Sequence, residues 1–337
     1  MYIEYDKLGY IKIEKLLSCG MPFIFVTGGR GTGKTYGALK YILESGKRCM
    51  WMRRTQTETD LINKPEFQPF KALNVDLGRN IDTKRAAKGS AAFVDLDDPD
   101  SIIGYTCALA TISNMRGFDA SDVDILVYDE FIPERHKAAM KEEGAALFNA
   151  YETLNRNREL QGRAPLQLLA LSNSNRLDNE IFESLGIINI CQNLKQSGER
   201  EYLDQNRGLA VFMLDNSPIS DKKRDTALYK LTAGSAFSEM ALDNNFADLD
   251  EHVSVKRNLR EYIPLAVVGR IAVYRHKSTR RYYVTGTRAG VFKNEFADTD
   301  KDRLAFIRAY PLLYDLYLKR KIDFSDYASE AAFRKLY

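Results

Sequence analysis

The residues Gly28-Gly29-Arg30-Gly31-Thr32-Gly33-Lys34-Thr35 carry the spacing GxxxxGK[ST] of a phosphate-binding loop. Its glycines let the backbone turn tightly and aim successive N–H groups at phosphate oxygens. The N-terminus of the helix that follows adds the positive end of its dipole. Lys34 can reach the β- and γ-phosphates of a nucleoside triphosphate, and the Thr35 hydroxyl can ligate Mg²⁺. A second constellation lies at residues 123–130, Val-Asp-Ile-Leu-Val-Tyr-Asp-Glu, an apolar strand that ends in two acids. Asp129 can hold the Mg²⁺ shell through water, and Glu130 can polarise the water that attacks the γ-phosphate. Neighbouring strand-end acids divide the labour between metal and water. Together the two motifs point to nucleoside triphosphate hydrolysis rather than binding alone, with Lys34 and Glu130 as catalytic groups.

These groups need a scaffold, and the flanking sequence supplies one. Phe23-Ile24-Phe25-Val26 is a continuous apolar run of the kind buried parallel strands show. After the loop, Ala38, Leu39, Ile42 and Leu43 share one face at helical spacing. A second strand, Cys49-Met50-Trp51-Met52, ends in Arg53-Arg54. In an α/β sheet that edge is where ligands bind, so Arg53 and Arg54 are read either as nucleotide or nucleic-acid contacts or as a solvated strand end. Further strands are expected at residues 91–96, 102–109, 166–171, 187–191 and 209–214, giving a sheet of about seven. A helix is expected over 140–160, with Ala145, Leu147, Phe148, Tyr151 and Leu154 on its buried face. Asn173, just past the strand at 166–171, can sense the γ-phosphate or orient water; an Asx-turn is the alternative.

If hydrolysis drives a ring-shaped motor, an arginine must reach across a subunit boundary to the γ-phosphate. Arg156 and Arg158, after the helix at 140–160, are the candidates; a solvated helix end is the alternative. Such a motor also needs basic groups that touch nucleic-acid phosphates without reading sequence. Lys84, Arg85 and Lys88 in one basic loop, and Lys277, Arg280 and Arg281 at a hairpin tip flanked by tyrosines, fit that need.

The whole chain sets bounds on these readings. Its 337 residues suffice for about two domains. With 49 Lys+Arg against 46 Asp+Glu the net charge is +3, so a nucleic-acid footprint must be local. Four widely spaced cysteines and three histidines make a zinc site unexpected. Neither a signal peptide nor a bilayer-spanning run is expected, which suits a cytoplasmic protein without membrane contacts. The expected domains are an ATPase at 1–216, a linker or small helical subdomain at 217–248, and an α+β domain at 249–337 whose strands precede its helices.

At this point a resemblance becomes specific. Val127-Tyr128-Asp129-Glu130-Phe131-Ile132, Arg156-Asn157-Arg158-Glu159, Leu171-Ser172-Asn173 and Glu239-Met240-Ala241-Leu242-Asp243-Asn244-Asn245-Phe246 resemble the phi29-type bacteriophage genome-packaging ATPases. The resemblance runs from about residue 10 to about residue 250. It implies an additional-strand P-loop ATPase with a RecA/FtsK-like sheet, followed by a small RNase H-like domain. The implied activity is ATP-driven translocation of double-stranded DNA into a viral procapsid, in the host cytoplasm at the portal vertex. The implied partners are the DNA, the portal (connector), a packaging RNA in those phages that use one, and further copies of the chain in a pentameric ring. The family's trans-acting arginine falls on Arg156. Gln56 stands where the family can carry a lysine, so a DNA contact there would be polar. The C-terminal acids Asp243, Asp248, Asp250 and Glu251 are clustered in sequence, whereas two-metal sites gather acids from several strand ends, so the nuclease fold is expected to be inactive. Two other readings remain open: a packaging enzyme with an active C-terminal nuclease, and a small-molecule phosphotransferase.

Overall fold

The computed structural model describes residues 1–115, 120–133, 140, 142–174, 176–214, 217–235, 238 and 254–337. The block at 239–246 and the acids Asp243, Asp248, Asp250 and Glu251 lie outside the described residues. The chain forms two compact units, Met1–Leu185 with Leu194–Ala247, and Gly186–Asn193 with Asp248–Tyr337.

In the first unit short apolar segments become the strands of one sheet. They are β1 (Phe23–Gly28), β2 (Cys49–Arg53), β3 (Ile81–Ala87), β4 (Ser90–Asp95) and β5 (Asp98–Ala108). The set is completed by β6 (Ile125–Asp129), β7 (Gln167–Ser172), β8 (Glu201–Asp204) and β9 (Leu209–Leu214). Their order is β3-β4-β5-β2-β6-β7-β1-β9-β8. The six central strands, β5 to β9 in that order, pair in parallel, while β3, β4 and β8 add antiparallel edges. Every residue of β6 and β9 is buried, as continuous apolar composition demands.

Two features of this order position the site. Because the central strands are parallel, Gly28, Arg53, Asp129 and Ser172 all end at the same edge of the sheet. In addition, β7 is inserted between β1, which carries the phosphate loop, and β6, which carries the acids. That insertion is what the additional-strand class means, and the tip of β7 thereby falls between loop and acids. The expected α/β P-loop architecture is present.

Several expectations need correction. The sheet has nine strands, not about seven, because β3 and β8 are half-exposed edge strands with no clean apolar alternation to read. Lys84 and Arg85 therefore stand on β3, with Lys88 in the β3–β4 turn, rather than in a loop. The run at 187–191 is not a strand but belongs to a helix, Ile188–Ser197. Ile188, Cys191 and Leu194 are buried at helical spacing, and a five-residue apolar run cannot by itself separate the two forms. The expected helix spans Glu143–Asn155, and its buried face uses Leu147, Ala150 and Leu154, while Phe148 and Ala145 are exposed.

The second unit is α+β. Strands β10 (Tyr262–Val268), β11 (Ile271–His276), β12 (Tyr282–Thr285), β13 (Glu295–Phe296) and β14 (Ile322–Phe324) form a sheet in the order β13-β10-β11-β12-β14. Helices Asp300–Ala309, Leu313–Leu318 and Tyr327–Arg334 share its core, where Phe306, Phe324 and Phe333 meet Val273 and Val284. Among the described residues no helix is long and apolar enough to cross a membrane.

Candidate nucleotide-hydrolysis site

The phosphate loop runs from the end of β1 into helix α1 (Lys34–Ser45). Gly31 (φ 73°) and Gly33 (φ 86°) occupy the left-handed region, where a side chain would be strained. Lys34 is buried and folds back on the loop, its Nζ donating to the carbonyls of Gly28 (3.0 Å) and Gly29 (2.8 Å) and to Thr32 Oγ1 (3.0 Å). Thr32 Oγ1 in turn donates to Gly29 O at 3.2 Å. Burial lowers the Lys34 pKa to about 7, against the pull of the Asp129 charge. Arg30 is exposed on the outer side of the loop.

The acids meet the loop across β7. Thr35 Oγ1 donates to Asp129 Oδ1 at 3.1 Å. This hydroxyl at a helix start and this carboxylate at a strand end are hard oxygen donors of the kind Mg²⁺ takes, so the residues fit the ion. Arg53 bridges both acids, donating to Asp129 Oδ2 and to Glu130 Oε2, each at 2.7 Å. Burial raises the Asp129 pKa, with Arg53 and Thr35 opposing it. For Arg53 burial works against the charge, and Asp129 and Glu130 outweigh it, so its pKa is raised. The side chain of Asp129 is 8% exposed and that of Glu130 38%, a difference suited to a metal-shell acid beside one that addresses water. Glu130 sits at φ 60°, a conformation costing about 1–3 kcal/mol that is concentrated at functional sites. Asn173 Nδ2 approaches Glu130 Oε1 at 3.4 Å, while Ser172 and Ser174 close the turn after β7. Lys34, Thr35, Arg53, Asp129, Glu130 and Asn173 are thus brought together.

Arg156 is not among them. It follows the helix Glu143–Asn155, whose last residue accepts from Leu166 N–H at 2.8 Å just before β7. Arg158 is buried nearby and donates to the carbonyls of Ala120 (3.1 Å), Ser121 (3.2 Å) and Val123, just before β6. Both arginines therefore stand at the N-terminal edge of the sheet. The length of a five-residue strand, roughly 16 Å at about 3.3 Å per residue, separates them from the acids. Arg156 is exposed and, like Glu130, is a non-glycine residue at positive φ (49°). Of the pair Arg53-Arg54, the second is structural: its Nε donates to buried Glu143 at 2.8 Å, which also accepts from Tyr128 OH at 2.8 Å.

The nucleic-acid candidates fare unequally. Lys84, Arg85, Lys88 and Arg280 are exposed. Lys277 Nζ donates to Arg260 O at 2.6 Å. Arg281 is bound to Asp323 at 2.6 Å, a carboxylate shared with Arg257. Gln56 contacts Asp60 (2.8 Å), Gly89 O (2.8 Å) and Thr111 (2.6 Å), pinning the β3–β4 turn rather than pointing outward.

Comparison with known proteins now assigns the family. The family model described as podovirus DNA encapsidation protein (Gp16) matches residues 5–308. The chain belongs to that family. The DNA packaging protein of Bacillus phage PZA is 25% identical over 262 residues, covering 76% of this chain and 71% of that protein. That of Bacillus phage B103 is 24% identical over 296 residues, covering 85% and 84%. A solved structure described as the bacteriophage Phi-29 viral genome packaging motor assembly shares the fold, with a TM-score of 0.68 at 18% identity over 97% of this chain and 99% of that one. The expected kinship with phi29-type packaging proteins is therefore found, and genome packaging is the work of this encapsidation protein.

Proposed function

We propose that this encapsidation protein hydrolyses ATP at the edge formed by β1, β6 and β7, and that hydrolysis moves double-stranded DNA into a procapsid. The carrying observation is the division of groups between two edges of one sheet. Lys34, Thr35, Arg53, Asp129, Glu130 and Asn173 converge at one edge, and Arg156 stands exposed at the other. An arginine that cannot reach its own phosphate loop suits a site shared between neighbours, and hence a ring, a pentamer by the resemblance. Glu130, oriented by Asn173 and Arg53, is the base for the attacking water. Residues 28–35, with Lys34 and the helix start, bind the phosphates. Thr35 and Asp129 would hold Mg²⁺, the latter through water; when bound, the ion neutralises charge on the β- and γ-phosphate oxygens.

Lys84, Arg85, Lys88 and Arg280 are the accessible candidates for DNA phosphates. The portal and, in phages that use one, a packaging RNA are the further partners, at the procapsid in the host cytoplasm. We read residues 249–337 as an inactive RNase H-like domain and 217–248 as the link to it. Arg281 and Arg257 take up Asp323, a carboxylate of this unit's sheet. A water-directed glutamate also has no task in a phosphotransferase.

The test is hydrolysis by mixtures of two variants. Arg156→Ala and Glu130→Gln subunits should each be inactive alone and recover activity when combined, with stimulation by double-stranded DNA that weakens with salt. No recovery at any ratio, with assembly intact, excludes the shared site. Indifference to DNA and procapsids excludes the motor.

A further inference from the structure

Helix α2 (Pro218–Arg224) opens the segment after β9, and its basic run Lys222-Lys223-Arg224 has no part in the scheme above. Lys223 does not extend into solvent. It is half-buried, and its ammonium donates to the backbone carbonyl of Arg30 in the middle of the phosphate loop. It occupies the space that a side chain on Gly31 would need. Gly31 is called for by its positive φ, and the lysine tip lies directly against it. The helix is held in place by independent contacts. Lys222 Nζ donates to Leu8 O at 2.8 Å, and Ser217 Oγ to Gly9 O at 3.3 Å. The same N-terminal segment binds the loop directly, through Ile11 N–H to Thr32 O at 2.9 Å and the Tyr10 side chain against Gly33. Helix, N-terminal segment and loop thus form one connected body around residues 29–33.

The electrostatics of this body are unbalanced. Lys34 has Asp129 and Glu130 within range, whereas burial alone acts on Lys223 and lowers its pKa. Two ammonium groups that both donate to backbone carbonyls of one phosphate loop suit a polyanion bound there. We propose that Lys223 is a phosphate-binding residue of this site, reaching the triphosphate across Gly31. By exchanging the Arg30 carbonyl for a phosphate oxygen it would tie the segment after β9 to nucleotide occupancy. The proposal rests on the reading of residues 28–35 as a nucleotide site.

The experiment is equilibrium binding of a fluorescent ATP analogue, and its competition by ADP, with the full chain and the variants Lys223→Ala, Lys223→Arg and Lys34→Ala. A charge-assisted hydrogen bond predicts affinity about tenfold to a hundredfold weaker for Lys223→Ala, with most of it restored by Lys223→Arg. The nucleotide-free melting temperature should be unchanged. If Lys223→Ala binds like wild type while Lys34→Ala does not bind, the role of Lys223 is overturned and the nucleotide site stands. If Lys223→Ala lowers melting temperature and affinity together and Lys223→Arg rescues neither, the lysine is structural and the proposal fails. Absence of binding by the wild type removes both readings.

Discussion

Two pairs of arginines stand at opposite edges of the central sheet, and in each pair the two members meet different surroundings. At the C-terminal edge Arg53 bridges the acids of the site, while Arg54 turns into the interior to meet Glu143 and Tyr128. At the N-terminal edge Arg158 ties down three carbonyls before β6, while Arg156 is exposed at a positive φ. In each pair the local sequence is equally basic, and only the surroundings separate an arginine that braces the backbone or core from one that faces the site or the surface. A buried guanidinium must spend its donors on fixed acceptors, since an unpaired buried charge is costly. Arg53 meets that demand with the two acids of the site, whereas burial does not impose it on the exposed Arg156.

Arg156→Ala should break this comparison most visibly. A trans-acting arginine is worth about 10³–10⁵ in turnover, so kcat should fall by that order with the melting temperature unchanged. A fall confined to stability would make Arg156 a second Arg158. Glu130→Gln should lower kcat by about 10²–10⁴ while nucleotide affinity stays within a few-fold, as measured by hydrolysis and binding on the same preparation.

The structural members should respond in the opposite sense. Glu143→Ala leaves Arg54 buried without its carboxylate and should cost about 3–5 kcal/mol of unfolding free energy by denaturant titration. Arg158→Ala should cost less, about 1.5–3 kcal/mol, because neutral carbonyls rather than a charge lose their partner.

The smallest effect concerns protons. Lys34 titrates at about 7 in the folded chain against an ordinary 10.5, so between those values the unfolded chain binds more protons. The nucleotide-free protein should then gain stability as pH rises above about 7, the penalty being fully present below it. Phosphate restores the lysine's charge, so nucleotide binding above about pH 7 should take up a proton. Affinity should weaken by up to about tenfold per pH unit, measurable by calorimetry in buffers of different ionisation enthalpy. A flat pH profile would mean that Lys34 is charged throughout.

Much of the site was legible in the sequence. The loop at 28–35 and the pair Asp129-Glu130 are local patterns, and a parallel sheet carries strand ends to one edge whatever else the fold does. The helix at 188–197 was misread because a short apolar run has no period of its own. Strand β3 was missed because its outer half faces solvent, so nothing in Lys84 or Arg85 marks a strand. Lys223 was passed over as linker composition, since its value lies in a contact with a loop some 190 residues earlier.

What the sequence determined by itself, then, was chemistry that resides in neighbouring residues: glycines that permit a turn, a lysine and a threonine at a helix start, two acids after an apolar strand. The tertiary structure decided everything that depends on which strand lies beside which. By inserting β7 between β1 and β6 it brought Asn173 to Glu130. By running the helix Glu143–Asn155 back along the sheet it set Arg156 at the edge away from its own phosphate loop. Packing then decided what each arginine of a pair meets, because desolvation is a property of packing and not of residue type.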